Sequence, residues 1–219
     1  MRRFCLLTSV FCLLFSAAPA VAQQKEPLPP FAADLRGIFA RHKVEPDIAK
    51  GLAVETGNLP TRSFGLVGGA HVYVLRARKV ALGFGGTMLF AGGSETNDIT
   101  DATTGAVTKS PTVRRHFRSI TPEISLNFGH RNGWSYISGG FFGQSRLYVD
   151  REDAPATNPP GRKTLTYGAG ARWFASEHVA FSVDVRWYSV AEMPPPAGST
   201  LVFEPRTTLM VLSGGVSFK

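Results

Sequence analysis

The chain has 219 residues, 43% of them hydrophobic and 18% charged, with a formal charge of +8. Its two cysteines, Cys5 and Cys12, both lie near the start, which excludes a disulfide-stapled scaffold or a cysteine metal site in the remainder. Beyond residue 22 no stretch approaches the ~20 uninterrupted apolar residues of a spanning helix, so any membrane span has to be built from strands.

Residues 1–22 read as a secretory signal peptide. Arg2 and Arg3 form a positive start, Phe4 to Phe15 is apolar, and Ala20-Val21-Ala22 fits the small-x-small cleavage rule; Ala18-Pro19-Ala20 is the alternative cut. Cys12 has no lipobox around it, which argues against a lipoprotein. Both cysteines leave with the signal, and 22 basic residues then face 16 acidic ones, a formal +6. For an exported protein a mildly basic balance points to anionic lipid headgroups, not to nucleic acid.

Residues 23–30 are polar and proline-rich and read as a flexible periplasmic lead-in; residues 31–219 read as one domain. Phe31 to Arg41 alternates, with Phe31, Ala33, Leu35, Gly37 and Phe39 on one face and Asp34 and Arg36 on the other. Phe31, Leu35, Ile38 and Phe39 also fit a helical stripe, and the strand is adopted because the strand count requires it. After a long connection from His42 to Thr61, a second strand sets Phe64, Leu66, Ala70, Val72 and Val74 against Ser63, Gly65, His71 and Tyr73. A tight turn at Arg76 to Lys79 leads to a third, with Val80, Leu82, Phe84, Met88 and Phe90 on its apolar face.

The polar stretch Gly92 to Val113 precedes a hairpin from His116 to Asp150. Its first arm sets Ile120, Pro122, Ile124, Leu126 and Phe128 against Thr121, Glu123, Ser125 and Asn127; Pro122 cannot donate to a ladder and is expected at a bulge. Its second arm sets Ile137, Phe141, Leu147 and Val149 against Tyr136, Ser138, Gln144 and Arg146. Beyond the loop Arg151 to Lys163, a sixth strand carries Leu165, Tyr167, Ala169, Ala171 and Trp173 on the apolar face. The seventh, after Ser176-Glu177-His178, sets Val179, Phe181, Val183, Val185 and Trp187 against Ser182, Asp184, Arg186 and Tyr188. The loop Ala191 to Pro205 leads to the eighth, with Met210, Leu212, Val216 and Phe218.

Three regularities agree: eight strands, connections that alternate long and short, and mid-strand charges confined to one of the two faces. Together they predict an all-β fold, an eight-stranded antiparallel up-and-down transmembrane β-barrel with apolar side chains toward lipid and polar ones inside. Up-and-down threading puts Phe31, Phe128, Trp173, Phe181 and Phe218 near one end of the outer face and Phe39, Phe64, Phe90, Tyr167 and Trp187 near the other, as two interfacial girdles. A soluble barrel turned the other way needs a Lys- and Glu-rich outer face, and here the polar set is mostly Gly, Ser, Thr and Ala.

On these residues, from Phe31 to Lys219, the chain resembles the small eight-stranded outer-membrane barrels, the OmpA transmembrane domain and OmpX-like proteins. The C-terminal run Met210-Val211-Leu212-Ser213-Gly214-Gly215-Val216-Ser217-Phe218 resembles the β-signal read by the outer-membrane assembly machinery, although Lys219 follows the aromatic. The resemblance implies no peptidoglycan-binding domain after the last strand, and the chain is expected in the outer membrane of a double-membraned bacterium, as a monomer with both termini periplasmic.

Inside the barrel a network of ion pairs is expected from Asp34, Arg36, His71, Glu123, Arg146, Arg172, Asp184 and Arg186, because buried charge is costly unless paired. The expected pairs are Arg36 with Asp34, Asp184 with Arg186, and Glu123 with Arg146 or Arg172. They read either as a structural plug or as a gate, and the narrowness of an eight-stranded interior favours the plug. At the outer rim Arg114, Arg115, His116, Arg118 and Arg206 form a basic band; Arg114, Arg115, Arg118 and Arg206 are candidate contacts to lipopolysaccharide phosphates.

His116 and Ser145 share the outward parity as a candidate hydrolytic dyad, but no carboxylate on that face orients the histidine, so no enzyme is expected. Glu95, Asp98 and Asp101 match no cation-loop spacing. No cofactor, metal site or nucleic-acid partner is expected. The best-supported role is an integral scaffold with exposed loops; a narrow pore or a channel for small hydrophobic solutes is the alternative, and a lipid A-modifying enzyme a third.

Overall fold

The computed structural model describes residues 28–77, 79–100, 105–154, 159–194 and 205–219. The signal peptide, most of the lead-in and Asp101 lie outside them. In chain order the strands are β1 (Phe31–Arg41), β2 (Arg62–Ala77), β3 (Val80–Glu95), β4 (Asp98–Thr100), β5 (Val107–Lys109), β6 (Val113–His130), β7 (Gly133–Arg151), β8 (Arg162–Phe174), β9 (Val179–Val190) and β10 (Thr207–Phe218). A short helix, α1 (Pro46–Gly51), lies between β1 and β2. β4 and β5 form a separate two-stranded ribbon, and the other eight strands close into an antiparallel barrel in the order β1-β10-β9-β8-β7-β6-β3-β2.

Closure is set at β1. It pairs with β2 from Phe31↔Val72 to Arg41↔Arg62, and with β10 from Ala33↔Phe218 to Arg41↔Met210. The strand reading therefore holds against the helical stripe. A helix would place Asp34 and Arg36 about 200° apart around its axis, whereas a strand aims both into the lumen, where both are buried.

The outer wall is apolar over its middle. Leu35, Leu66, Val72, Phe84, Met88, Ile120, Ile137, Phe181 and Leu212 are all exposed. Within the outer girdle Tyr167 stacks on Trp187 with ring centroids 5.6 Å apart, and Phe39 packs beside Phe64 at 5.4 Å. At one end, short turns join β2 to β3, β6 to β7 and β8 to β9; the long connections all lie at the other end. In the turn between β6 and β7, Gly129 adopts φ +146°, where a Cβ would meet Trp134.

Two features of the wall depart from strict alternation. The pairing of β6 with β7 shifts between Ile120 and Ile124, bracketing Pro122 as expected, and that of β7 with β8 shifts between Gly140 and Gly143. The extra residue lies on β7, where Phe141 and Phe142 both face outward, 70% and 85% exposed. Every residue of β7 beyond this bulge therefore changes face. Leu147 and Val149, expected outside, turn into the lumen, and Arg146, expected inside, turns out. A one-residue slip has this effect on all side chains downstream.

The interior is layered, where uniform polarity was expected. An apolar tier (Ile38, Val67, Leu89, Phe117, Leu147, Tyr188, Leu209 and Val211 among others) fills the half nearest the long loops. Above it α1 packs over the mouth through Ala49, buried against Leu59, Val113 and Val149. Pro46 starts the helix with φ already fixed, and Asp47 and Lys50 suit its two ends. At the opposite mouth Leu28 is buried with Ala32, Tyr73 and Trp134, and Tyr73 N–H donates to the Pro30 carbonyl at 2.8 Å. The end of the lead-in is thus packed onto the barrel, not loose.

Facing lipid, Phe141→Arg is expected to cost about 2–4 kcal/mol of folding free energy in vesicles, read from urea unfolding. If the wall were water-facing, the same change would be tolerated.

Candidate functional site

Between the two apolar plugs lies a buried ionic tier, built where the inward residues of all eight barrel strands meet. Arg172 on β8 binds Asp34 on β1 through both carboxylate oxygens, Nε to Oδ1 at 2.9 Å and Nη2 to Oδ2 at 2.6 Å. Ser217 on β10 donates a further hydrogen bond to Oδ1 of Asp34. Arg186 on β9 pairs with Glu123 on β6, and its Nη2 donates to Ser138 Oγ on β7 at 2.9 Å. Glu123 also accepts from Thr87 Oγ1 on β3 at 2.7 Å and stands 3.6 Å from His71 Nε2 on β2.

Asp184 lies between the two halves, 3.5 Å from Arg36 and 3.4 Å from Arg186. Tyr136 completes the link: its hydroxyl donates to Asp184 Oδ2 at 2.9 Å and accepts from Arg36 Nη1 at 2.8 Å. The guanidinium of Arg172 lies over the Tyr136 ring, 4.3 Å from its centroid. Three carboxylates and three guanidinium groups thus share one connected network without excess charge.

Glycines make room for these side chains. A Cβ on Gly170 would stand 2.5 Å from the Tyr136 ring, one on Gly85 2.7 Å from the His71 ring, and one on Gly83 2.8 Å from the Tyr73 ring. The small residues of the predicted lumen face are therefore sockets for its large ones.

Seven of the eight expected network residues are present: Asp34, Arg36, His71, Glu123, Arg172, Asp184 and Arg186. Their partners differ from those expected. Arg172, not Arg36, clamps Asp34, and Glu123 takes Arg186, because partners are chosen across the lumen by strand tilt and not along one strand. Of the predicted pairs only Arg186 with Asp184 recurs, at 3.4 Å. Arg146 is the exception; the β7 bulge puts it on the outer wall. Tyr136 and Ser217 were not singled out by sequence reasoning, although both stand on the lumen parity.

The rim also rearranges. Arg114, Arg118 and Arg206 are exposed, but Arg115 is buried inside the mouth. Its odd position on β6 is the inward parity, which the five consecutive basic or aromatic residues from Arg114 to Arg118 mask. Arg162 is likewise buried there, donating to the carbonyls of Ala191 at 2.7 Å and Pro205 at 3.2 Å. Ser145 and His116 stand on opposite sides of the wall. Ser145 is buried and donates to Ser119 Oγ at 2.8 Å, whereas His116 lies outside, stacked on Tyr148 and 3.4 Å from Asp150. The candidate dyad does not exist.

A different histidine reports on the outer mouth. His42, where β1 passes into the loop carrying α1, is buried with its Nε2 2.8 Å from Ser63 Oγ. Burial, and then the nearby Arg115 charge, bring its pKa down from 6.5 to about 3.

A closed eight-stranded antiparallel barrel, filled within and apolar without, defines the chain as a membrane-spanning β-barrel. No protein-family model and no curated protein matches the sequence at a significant level. Among solved structures, the chain is similar to the N-terminal β-barrel domain of OprF from Pseudomonas aeruginosa (10% identity, 88% of this chain and 98% of that one, TM-score 0.42). It is also similar to the outer membrane protein OprG from the same organism (12% identity, 90% and 98%, TM-score 0.46) and to the attachment invasion locus protein Ail of Yersinia pestis (8% identity, 86% and 95%, TM-score 0.43).

Because His42 is held neutral, acid should undock the loop at residues 42–61. Below pH 6.5 the free loop takes up a proton that the docked one refuses down to about pH 3, so docking is firm above pH 6.5 and weakens as pH falls. Cleavage of this loop by an acid-active protease is expected to be on the order of tenfold faster at pH 4.5 than at pH 7, and His42→Gln should flatten that dependence. An equally steep response in the variant would contradict it.

Proposed function

We propose that this protein is an integral barrel of the outer membrane of a double-membraned bacterium, a sealed scaffold that contacts lipopolysaccharide at its rim and holds its long loops outside the cell. The observation that carries the reading is the filled lumen. Three stacked layers, the lower aromatic plug with Leu28, the ionic tier and the apolar tier beneath α1, leave an eight-stranded interior occupied by its own side chains. A charge-balanced network tied across all eight barrel strands stiffens the barrel and offers no path for ions.

Arg114, Arg118 and Arg206 supply exposed cations on the long-loop side, and guanidinium groups suit lipid phosphates. β10, which closes the seam against β1 and ends on the outward Phe218, is the strand we assign to recognition by the assembly machinery. Such a barrel acts as a monomer, without cofactor or catalysis.

Planar-bilayer recording of the purified chain tests the reading. Wild type is expected to show no discrete conductance steps. Steps in the wild type that vanish on Glu123→Gln would make the protein a pore.

A further inference from the structure

The outer ends of β1, β2 and β3 enclose a hollow on the outward side of the wall. Arg41 and Arg62 are paired directly across the ladder in the last row of β1 and β2, and both are exposed. Opposed side chains have Cβ atoms only about 4.5–5.5 Å apart, and like charges placed so repel. Among the described residues neither side chain forms an ion pair or donates a hydrogen bond. The neighbouring outward groups on β6 are matched: Arg114 stands 3.6 Å from Glu152, and His116 3.4 Å from Asp150.

The row below fixes the depth. Phe39 is paired with Phe64, and both belong to the outer aromatic girdle, so the two arginines lie at headgroup level. Beside Arg62, β3 runs Gly92-Gly93-Ser94 and leaves the wall bare. A cavity of about 520 Å³ opens there, lined by Thr61, Arg62, Phe64, Ser94, Glu95 and the two glycines. Gly93 is required by the fold, since a Cβ on it would stand 2.0 Å from the Arg62 carbonyl oxygen. Gly92 is not. The nearest atom to a Cβ there is the Arg115 carbonyl oxygen at 3.7 Å, an ordinary contact, so the hollow stays open where a side chain would fit.

We propose that this hollow binds the phosphorylated sugar headgroup of an outer-leaflet glycolipid, with Arg41 and Arg62 on the phosphate and the sugar over Gly92. A phosphate between two guanidinium groups turns a repulsive pair into charge-assisted contacts. The volume falls among ligand pockets, roughly 300–1,000 Å³, and exceeds what a bare phosphate fills. Phe64, 64% exposed, offers the sugar an apolar face, and Thr61, Ser94 and Glu95 offer polar partners to its hydroxyls. The acyl chains then run down the wall over Leu66, which is paired with Phe90. This rests on the lipopolysaccharide-contact reading and gives it a site apart from Arg114, Arg118 and Arg206.

The full chain, purified in a zwitterionic detergent free of anionic lipid, is titrated with bisphosphorylated lipid A, dephosphorylated lipid A, phosphatidylglycerol and inorganic phosphate. The site predicts that lipid A binds and that removing its phosphates weakens binding by about tenfold or more, as does Arg41→Gln/Arg62→Gln. Gly92→Val keeps every charge and adds a side chain that suits a strand, and it weakens lipid A binding as well. Arg114→Gln/Arg118→Gln/Arg206→Gln weakens it less. Heat-dependent gel mobility checks that each variant is folded.

If the Arg114/Arg118/Arg206 variant loses binding and the Arg41/Arg62 variant does not, the hollow is wrong and rim contact stands. Equal losses in both would make the attraction a general effect of charge and overturn the site. Wild-type affinity in Gly92→Val, or phosphatidylglycerol bound as tightly as lipid A, would overturn the sugar assignment. Inorganic phosphate bound as tightly would overturn the assignment to a lipid. If lipid A does not bind the wild type at all, the hollow and the lipopolysaccharide reading both fail.

Discussion

Arg172 and Asp34 meet in the middle of the barrel through two parallel hydrogen bonds, and neither is reached by solvent. Taking two such ions out of water costs several kcal/mol each, which their attraction offsets only when the geometry is good and the remaining donors and acceptors are used. Here they are used. Ser217 supplies Asp34 with another donor, Tyr136 lies under the Arg172 guanidinium, and Tyr136 in turn joins Arg36 to Asp184. The residues come from strands far apart in the chain, with 138 residues separating Asp34 from Arg172, so the network comes together only when the cylinder is closed. Its stabilising effect and its specificity both come from that dependence.

The rest of the molecule is arranged around this tier. Apolar layers above and below keep water from it, α1 and Leu28 cover the two mouths, and lumen glycines leave space for its aromatic and basic side chains. The lipid-facing wall follows from the same alternation: once one set of side chains is committed to the interior, the other has to suit hydrocarbon. Such a filled barrel leaves its outer wall, its rim and its loops as the surfaces that meet the surroundings.

Much of this was legible in the sequence because a strand repeats every two residues. The parity of Asp34 and Arg36, of Glu123, of Arg172, and of Asp184 and Arg186 placed each of them correctly. The missing N–H of Pro122 also put that residue at an irregularity. What it did not show were events that break the count or lie between strands. One extra residue at Phe141 and Phe142 inverted Ser145, Arg146, Leu147 and Val149 together. Pairing across the lumen depends on tilt and register, so Asp34 was matched with its neighbour Arg36 and not with Arg172. The apolar inner tier was hidden because stretches such as Leu209-Met210-Val211-Leu212 are apolar on both faces, and alternation carries no signal there. Arg115 and Arg162 were read as rim or loop residues because polar sequence at a barrel mouth looks the same whether it turns in or out.

The most direct measurement is a double-mutant cycle at Asp34 and Arg172, read by reversible unfolding of the barrel in lipid vesicles. Asp34→Asn and Arg172→Gln should each cost about 3–5 kcal/mol, since each strands a buried partner. The double variant should cost clearly less than their sum. Single changes that cost nothing, or costs that simply add, would contradict the account, because the closed barrel would then not depend on that pair.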